Sequence, residues 1–253
     1  MGKAEVIIFT PTHEEYRLLA GELSSGGFNN FSVKVVESGP GLVNTAAKAG
    51  AALEPFRESR EKPYLIIGAG LCGSLNLKLR AGDAVCSTST VLGDWAMETD
   101  HARTFGPYGE ATYKTIGGSI ADEISLDGQS SQARELSKRL AAKGFLSGRL
   151  FSSDTCLTGL SAKLERGRRF GCLGADMESG ALGWVAENLG LPWLNIRVMA
   201  DTIDDELKSA DDPERDVREL LPLKILVALS TLDQMPAPSS CSCCSSPCAA
   251  YKF

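Results

Sequence analysis

The chain has 253 residues, of which 43% are hydrophobic and 23% are charged, a composition typical of a soluble globular protein. Its net charge of −6 provides no basic field for nucleic acid, and no run of about 18 apolar residues is present that would span a bilayer. We therefore expect one large α/β domain over residues 1–235 that binds neither nucleic acid nor a membrane.

The N-terminal residues and the cysteines bear on where the protein works. Lys3 is followed only by the apolar run Val6–Phe9, which is too short for a signal peptide, so we expect a cytoplasmic protein. Four of the eight cysteines lie in CSCCSSPC at 241–248, within a low-complexity segment, 236–253, that is predicted to be disordered. Reduced thiols are expected, since nothing indicates secretion. Whether the tail thiols bind a soft metal is left open, and no other metal site is assigned.

The first predicted elements are a strand and a helix. Glu5–Thr10 is a short β run, and Glu14–Leu23 has the apolar spacing of a helix. Glu14 and Glu15 fall at the helix start, where acidic side chains interact favourably with the helix dipole. From these residues alone, the structural role is the simpler interpretation.

A glycine turn and a glycine-rich segment come next. Val33–Ser38 is predicted to be a strand, and Gly39-Pro40-Gly41 leads into a helix. Such a turn is either a tight connection or, because it precedes a helix N-terminus, a site for an anion or a hydroxyl group. Leu65–Gly68 has the composition of a buried strand and runs into a glycine-rich loop at 69–75, before Gly82–Val85 opens another strand.

The middle of the chain carries no assigned chemistry. Asp94–Trp95 and Phe105–Gly109 indicate an aromatic-bearing excursion that could cover a ligand, and Gln129–Lys143 has the pattern of an amphipathic surface helix. Arg149–Ser153 is predicted to be a strand. The basic residues of the helix that follows are interpreted as a solvated face: Lys163, Arg166, Arg168 and Arg169.

The stretch Gly174–Asp205 predicts a helix followed by a strand. Apolar residues recur at helical spacing, Gly190 ends the helix, and Leu194–Ala200 continues as a strand. In open α/β sheets the carboxyl ends of strands and the adjacent helix ends line the ligand crevice. Three acidic residues fall at such points and are candidates for chemistry: Asp176, Glu178 and Asp201.

The motif Asp176-Met177-Glu178, together with Arg197 and Ala200-Asp201, resembles the signature of the nucleoside phosphorylase and nucleosidase superfamily. The resemblance is strongest to the 5'-methylthioadenosine/S-adenosylhomocysteine nucleosidase branch. It implies a three-layer αβα sandwich around a central mixed, twisted β-sheet. It also implies an enzyme without a cofactor that breaks the bond between a purine base and its ribose. Because members of the family pair their subunits, a homo-oligomer is expected, with a dimer favoured.

The resemblance assigns the catalytic roles. In the nucleosidases a Glu of the first loop, followed after two residues by a Leu pair, acts as general acid and base on the attacking water. Glu15, ahead of Leu18–Leu19, is the matching position, and Glu14 is the neighbouring alternative. Asp201 matches the acid that protonates the base, and Glu178 matches the residue that binds the ribose hydroxyls.

The same resemblance assigns further substrate contacts. Met177 is expected against the sugar, and Gly70 and Leu71 belong to a loop whose backbone approaches the sugar and the nucleophile. Cys156 takes the place of an aromatic residue that stacks on the base, so it is the candidate base contact. Arg197 lies inside an apolar strand and is expected to make a structural ion pair, because an unpaired buried charge is costly.

Two positions bear on the nucleophile. Phosphorolysis needs an oxyanion site, usually built from arginines and a hydroxyl group. Phosphorylase relatives carry an Arg three residues before the Ser of this glycine-rich loop, and Gly68 and Leu71 stand at these two positions here. We therefore expect water to attack, in the hydrolysis of a purine nucleoside with a 5' substituent. Leu71 departs from the methylthioadenosine nucleosidases, which usually have Ser there, and is more like the futalosine hydrolases and the hopanoid-associated nucleosidases.

Two alternative functions stay open. One is a phosphate-dependent purine nucleoside phosphorylase whose phosphate site is built from other residues. The other is a catalytically weak nucleoside-binding sensor, which would suit the departures at Leu71 and Cys156.

Overall fold

The computed structural model describes residues 4–23, 27–93, 96–99, 102–105, 123–125, 130–203 and 217–236. Most of the predicted aromatic excursion, at 94–95 and 106–109, lies outside these residues. So does the tail from 237 onward.

The N-terminal elements match the predicted order, with ends that shift by a few residues. They are β1 (Ala4–Thr10), α1 (His13–Leu23), β2 (Phe31–Glu37), α2 (Leu42–Leu53), β3 (Leu65–Ser74) and β4 (Ala84–Leu92). The remaining described strands and α-helices are β5 (Ala96–Thr99), β6 (Ala102–Phe105), β7 (Glu123–Ser125), α3 (Ser131–Ala141), β8 (Leu146–Ser152), α4 (Leu160–Phe170), β9 (Cys172–Asp176), α5 (Ser179–Asn188), β10 (Trp193–Met199) and α6 (Leu220–Asp233).

Eight strands form one mixed sheet in the order β10-β4-β8-β9-β3-β1-β2, with β7 paired to β4. β1 pairs in parallel with β2 and β3, and β3 pairs in parallel with β10. Because β3 also pairs with β9, and β10 with β4, the strands β10, β4, β8, β9 and β3 close into a ring. The mixed sheet of the predicted fold is therefore confirmed.

Helices flank this sheet in two groups. α2 packs against α5, whereas α1 and α3 both pack against α6. The strands β1, β3 and β10 carry nearly continuous apolar runs, and Val6, Ile67 and Ile196 have no exposed surface. Such runs are typical of parallel strands that are covered on both faces. Among the described helices, none has the length and apolar character needed to cross a membrane.

The glycine-rich segment at 69–75 is a strand over most of its length, and the prediction of a loop there was wrong. β10 pairs with it residue by residue, with Arg197 opposite Gly70 and Met199 opposite Cys72. The glycines serve close packing, because an ideal Cβ added at Gly68 would lie only 1.9 Å from Asn195 Oδ1.

The prediction that the basic residues of α4 form a solvated face was wrong for one of them. Lys163 is only 1% exposed, whereas Arg168 and Arg169 are exposed. The burial of Lys163 is explained by a close contact one turn further along the helix. A Cβ added at Gly167 would stand 2.3 Å from the backbone oxygen of Leu75, so this side of α4 lies directly on the chain that follows β3.

The Gly174–Asp205 unit contains one strand more than predicted. Asp176 ends β9, and α5 begins only at Ser179, so Met177 and Glu178 lie in the connection between strand and helix. Gly190, with φ of +63°, follows the helix as expected of a left-handed terminator. Asp201 comes two residues after the end of β10.

Candidate active site

The acidic residues singled out in the sequence surround the C-terminal half of β3. β1, β3 and β10 are parallel, so their carboxyl ends lie at one edge of the sheet. Glu15 follows β1, Asp201 follows β10, and Glu178 follows β9. β9 runs antiparallel to β3 and pairs with Gly73 and Ser74, so its end returns along β3.

Glu15 is a buried carboxylate with donors at both oxygens. It is 3% exposed, and its Oε1 accepts a hydrogen bond from Leu71 N at 3.0 Å. Its Oε2 accepts from Thr12 N at 3.1 Å and from Thr12 Oγ1 at 2.8 Å. These contacts orient the carboxylate toward the middle of β3.

Glu14, the neighbouring alternative, has a different environment. Its side chain is 49% exposed, and its Oε2 lies 2.6 Å from Arg218 Nη1. Of the two adjacent acids, only Glu15 therefore points into the interior beside β3.

Arg197 lies at the centre of the acidic group and makes the ion pair predicted for it. The side chain is 1% exposed, its Nε lies 2.8 Å from Asp176 Oδ2, and its Nη1 lies 3.5 Å from Glu178 Oε2. Asp176 Oδ1 also accepts from the backbone N–H groups of Glu178 and Ser179, at 3.3 and 3.2 Å. Asp176 thereby joins the guanidinium to the N-terminus of α5.

Glu178 is a buried acid whose charge is only partly compensated. Its Oε1 accepts from Gly41 N at 3.0 Å, and the residue is 7% exposed. Burial raises the pKa of the Glu178 carboxyl from 4.5 to about 7; the nearby charges of Asp176 and Glu15 also raise it, whereas Arg197 lowers it. Near neutral pH the group is therefore present in both its protonated and its ionised form.

Asp201 is paired with a buried lysine that the sequence interpretation had placed in solvent. Asp201 Oδ1 accepts from Ser74 N at 2.7 Å, and Oδ2 lies 2.7 Å from Lys163 Nζ. The two side chains are 12% and 1% exposed, respectively. One sequence signal was available, since Gly167, four residues after Lys163, marks the close-packed side of α4.

The glycine turn before α2 is closed by two carboxylates. Gly41 N donates to Glu178, and Leu42 N donates to Asp154 Oδ1 at 2.6 Å. An ideal Cβ at Gly41 would lie 2.8 Å from the same Asp154 oxygen. These two N–H groups therefore bind carboxylates of the chain itself. The turn acts as a tight connection at this point, and these two donors do not form a site for an external anion.

The predicted substrate contacts fall into two places. Gly70 lies between Arg197 and Glu15, and the half-buried Leu71 is next to it. Met177 is half-buried in the β9–α5 connection. These residues belong to the region around β3.

Cys156 is exposed and lines a neighbouring cavity of about 260 Å³. The lining also includes Phe151, Ser153 and Arg166, but not the acids around β3. Ser153 N donates to Asp176 O at 3.0 Å, so this cavity adjoins the acidic group without sharing its side chains. Within the described residues, no group of three His, Cys, Asp or Glu side chains is arranged to hold a metal ion.

The chain is similar in sequence to a known family. The sequence model of the Phosphorylase superfamily matches residues 4–227. The 5'-methylthioadenosine/S-adenosylhomocysteine nucleosidase of Buchnera aphidicola subsp. Schizaphis graminum is 26% identical over 194 residues, which cover 74% of this chain and 74% of that protein. The enzyme of the same name from Geobacillus thermodenitrificans is 28% identical over 196 residues, or 76% of each chain.

Solved structures share the fold. The 5'-methylthioadenosine/S-adenosyl homocysteine nucleosidase of Helicobacter pylori has a TM-score of 0.71 at 18% identity, covering 91% of this chain and 99% of that chain. The futalosine hydrolase of Helicobacter pylori strain 26695 has a TM-score of 0.68 at 18% identity, covering 90% and 97%. At these identities the likeness concerns the fold alone.

Replacing Gly70 by Ala tests how tightly Arg197 is held. The added Cβ would lie 2.2 Å from Arg197 Nη1 and 3.2 Å from Glu15 Oε1. Because the guanidinium is fixed by two carboxylates, we expect the free energy of unfolding to fall by about 1–3 kcal/mol in urea denaturation. Gly50→Ala in α2 is the control, since nothing lies within 4 Å of its Cβ. Equal stability of the two variants would show that Arg197 can move freely.

The raised pKa of Glu178 predicts a pH-dependent stability. Between about pH 4.5 and 7 the native state binds more protons than the unfolded chain, so Glu178 should lower the free energy of unfolding as pH rises through this window, by up to roughly 3 kcal/mol. Glu178→Gln lacks this titration. Chemical denaturation of both proteins from pH 4.5 to 8 should therefore show the wild type losing stability relative to the variant as pH rises. A constant difference would contradict the assignment.

Proposed function

Since the chain belongs to the phosphorylase superfamily, as the motif at 176–178 predicts, we propose that it is a nucleosidase. It hydrolyses the bond between the base and the ribose of a 5'-substituted purine nucleoside and releases the free base. The sequence relatives named 5'-methylthioadenosine/S-adenosylhomocysteine nucleosidase support this substrate class.

The proposed reaction makes three demands on the site. Cleavage of an N-glycosidic bond passes through a cationic, oxocarbenium-like sugar while electrons move into the base. The site must therefore take a proton from the attacking water, stabilise the sugar and give a proton to the leaving base. Three carboxyl groups around β3 are suited to these tasks: Glu15, Glu178 and Asp201.

Glu15 is our candidate for the group that activates water. Its Oε2 already accepts two hydrogen bonds from Thr12, whereas its Oε1 accepts from Leu71 N and has a second lone pair with which it can accept from water. At 3% exposure the carboxylate is shielded from bulk solvent, where a competing hydration shell would weaken its action as a base. The Leu71 side chain offers no hydroxyl, so its backbone N–H, which orients Glu15, is the contribution of this position.

The spacing along β3 supports opposite roles for Glu15 and Asp201. Leu71 N binds the first acid and Ser74 N binds the second. Three residues of strand span about 10 Å. A water molecule, the anomeric carbon and the imidazole part of a purine fit in line over such a length, which puts the nucleophile at one end and the leaving group at the other.

The remaining assignments concern binding. Glu178, beside Arg197, is our candidate for the acceptor of the ribose hydroxyls, and Met177 would contact the sugar. Cys156 stays a candidate base contact, supported by the cavity that it lines next to Ser153.

We propose water rather than phosphate as the nucleophile because the buried cations of the site are already paired with acids. Around the described site, Arg197 is paired with Asp176 and Glu178, and Lys163 is paired with Asp201. A phosphate dianion needs uncompensated positive charge, and three acids surround the guanidinium.

Two further positions fit this choice. Gly68, where phosphorylases place an oxyanion ligand, faces Asn195 so closely that no side chain fits without rearrangement. Glu15 is also an acid, which would repel a phosphate, in the N-terminal segment where phosphorylase relatives carry an arginine.

The finer assignments are part of the same proposal. We infer a cytoplasmic enzyme, supported by the free thiols Cys72, Cys86 and Cys172, which suit a reducing compartment. We also infer a homodimer, supported by Val43, which is 76% exposed at the start of α2, two residues after the Gly41 that binds Glu178. A neighbouring subunit would cover this apolar side chain and close the 5' end of the site.

Glu15→Gln should abolish most of the hydrolysis of 5'-methylthioadenosine. The amide keeps the size of the side chain but cannot accept the proton of water, so kcat/KM should fall by about 10²–10⁴-fold. Glu14→Gln is the matched control and should stay within about twofold, because Glu14 lies at the surface beside Arg218. Release of adenine, followed by chromatography, measures both. Equal losses in the two variants would refute the assignment of Glu15.

The nucleophile is tested by adding phosphate. We expect the purified protein to release base from 5'-methylthioadenosine at the same rate with and without phosphate, with free sugar as the second product. Inosine and adenosine serve as comparisons for the 5' substituent. A strict phosphate requirement, with formation of a sugar 1-phosphate, would establish phosphorolysis, and tight adenine binding without turnover would establish a sensor.

A further inference from the structure

Lys163 and Asp201 form an ion pair in which both charges lie in the interior. Lys163 Nζ is 2.7 Å from Asp201 Oδ2, and the side chains are 1% and 12% exposed. A lysine in this environment loses most of its hydration, which is costly unless a partner compensates it. The position is fixed by the fold, since α4 approaches the chain after β3 at Gly167.

The contacts of Asp201 raise the question of where its proton comes from. A carboxyl group can protonate a leaving base only if it carries a proton, yet both of its oxygens face donors here. Oδ1 faces the backbone N–H of Ser74, which is not an acid, and Oδ2 faces the ammonium group of Lys163. The nearest transferable proton described in the structure is therefore on Lys163 Nζ.

We propose that Lys163 supplies, through Asp201, the proton that the departing base takes up. This inference rests on the proposed nucleosidase function. Lys163 is a positioning residue in this scheme, because it contacts Asp201 and acts on the substrate only through that carboxyl group. It differs in this from Arg197, whose guanidinium stays protonated and serves as a fixed charge.

The step balances in protons and electrons. As the glycosidic C–N bond breaks, its electron pair goes to the base, which takes a proton from the Asp201 carboxyl group. That proton comes from the Lys163 ammonium, which becomes a neutral amine. The water oxygen bonds to the anomeric carbon, and the water proton goes to Glu15. Glu15 then releases its proton and Lys163 regains one from solvent, so that the net reaction is the addition of water.

The charges of the site are consistent with this transfer. Movement of the proton from Lys163 to Asp201 turns an ion pair into a neutral pair and leaves the net charge unchanged. This first movement creates no isolated buried charge, and so avoids the desolvation cost of a single buried ion. Once the base takes the proton, Asp201 is again a carboxylate and faces a neutral amine, and the ion pair is restored when Lys163 regains a proton from solvent.

Two substrates distinguish proton supply from a merely structural ion pair. 5'-Methylthioadenosine has a basic leaving group that needs a proton, whereas the nitrophenolate of 4-nitrophenyl β-D-ribofuranoside departs without one. For Lys163→Met we expect kcat on the nucleoside to fall about 10²–10³-fold with little change in KM, and kcat on the nitrophenyl riboside to fall less than about fivefold.

A second variant keeps the positive charge. Lys163→Arg retains a cation beside Asp201, but the guanidinium does not give up its proton. We therefore expect this variant to stay slow on the nucleoside, to cleave the nitrophenyl riboside well, and to keep a Tm near that of the wild type. Arg168→Met, on the exposed side of α4, is the control and should leave both activities unchanged.

The outcomes separate the two proposals. Restoration of nucleoside hydrolysis in Lys163→Arg, or equal losses on both substrates in Lys163→Met, would make Lys163 a structural counter-ion and overturn this inference alone. A wild-type protein that cleaves neither substrate would overturn the proposed function as well.

Discussion

Arg197 carries a permanent charge inside the sheet, with 1% of its side chain exposed, and the site is arranged around its compensation. An unpaired guanidinium in this place would cost several kcal/mol. Asp176 lies 2.8 Å from Arg197 Nε and also accepts the first N–H groups of α5. The carboxylate of Asp176 therefore neutralises the charge of Arg197 on β10 and also fixes where α5 begins. As a result, Glu178 lies beside the guanidinium.

Space for this arrangement comes from β3. A side chain at Gly70 would collide with Arg197, and one at Gly68 would collide with Asn195. The glycines are thus required by packing between β3 and β10, and they lie in a paired strand whose N–H groups have fixed positions. Leu71 N and Ser74 N then orient the two acids to which we assign opposite ends of the reaction.

Apolar runs and glycine terminators predicted most elements of the fold, because the central strands are buried on both faces and contain little but apolar residues. The extension of β3 could not be predicted in this way, since glycine has low strand propensity and its pairing depends on β10, which is distant in the sequence. Glu14 and Glu15 are equivalent by pattern, and only the family resemblance selected the buried one. Lys163 was missed because it is the buried residue of a helix whose apolar residues are not themselves buried, so apolar periodicity does not mark the inward face.

The two buried cations, Arg197 and Lys163, have different surroundings and favour different steps of the proposed reaction. Arg197 faces three acids, Asp176, Glu178 and Glu15, whose charges all act on it. When these acids are ionised, that end of the site is negative. A negative environment stabilises a cationic sugar and repels a phosphate dianion, so the same excess of acid that favours the transition state also disfavours phosphorolysis. In our proposal Lys163 lies at the other end, beside Asp201, where the leaving base develops negative charge and a cation with a transferable proton is useful. Because the Lys163–Asp201 pair carries no net charge, the excess of acid is confined to the end at which, in our proposal, the sugar becomes cationic. This matches the direction in which electrons move when the glycosidic bond breaks.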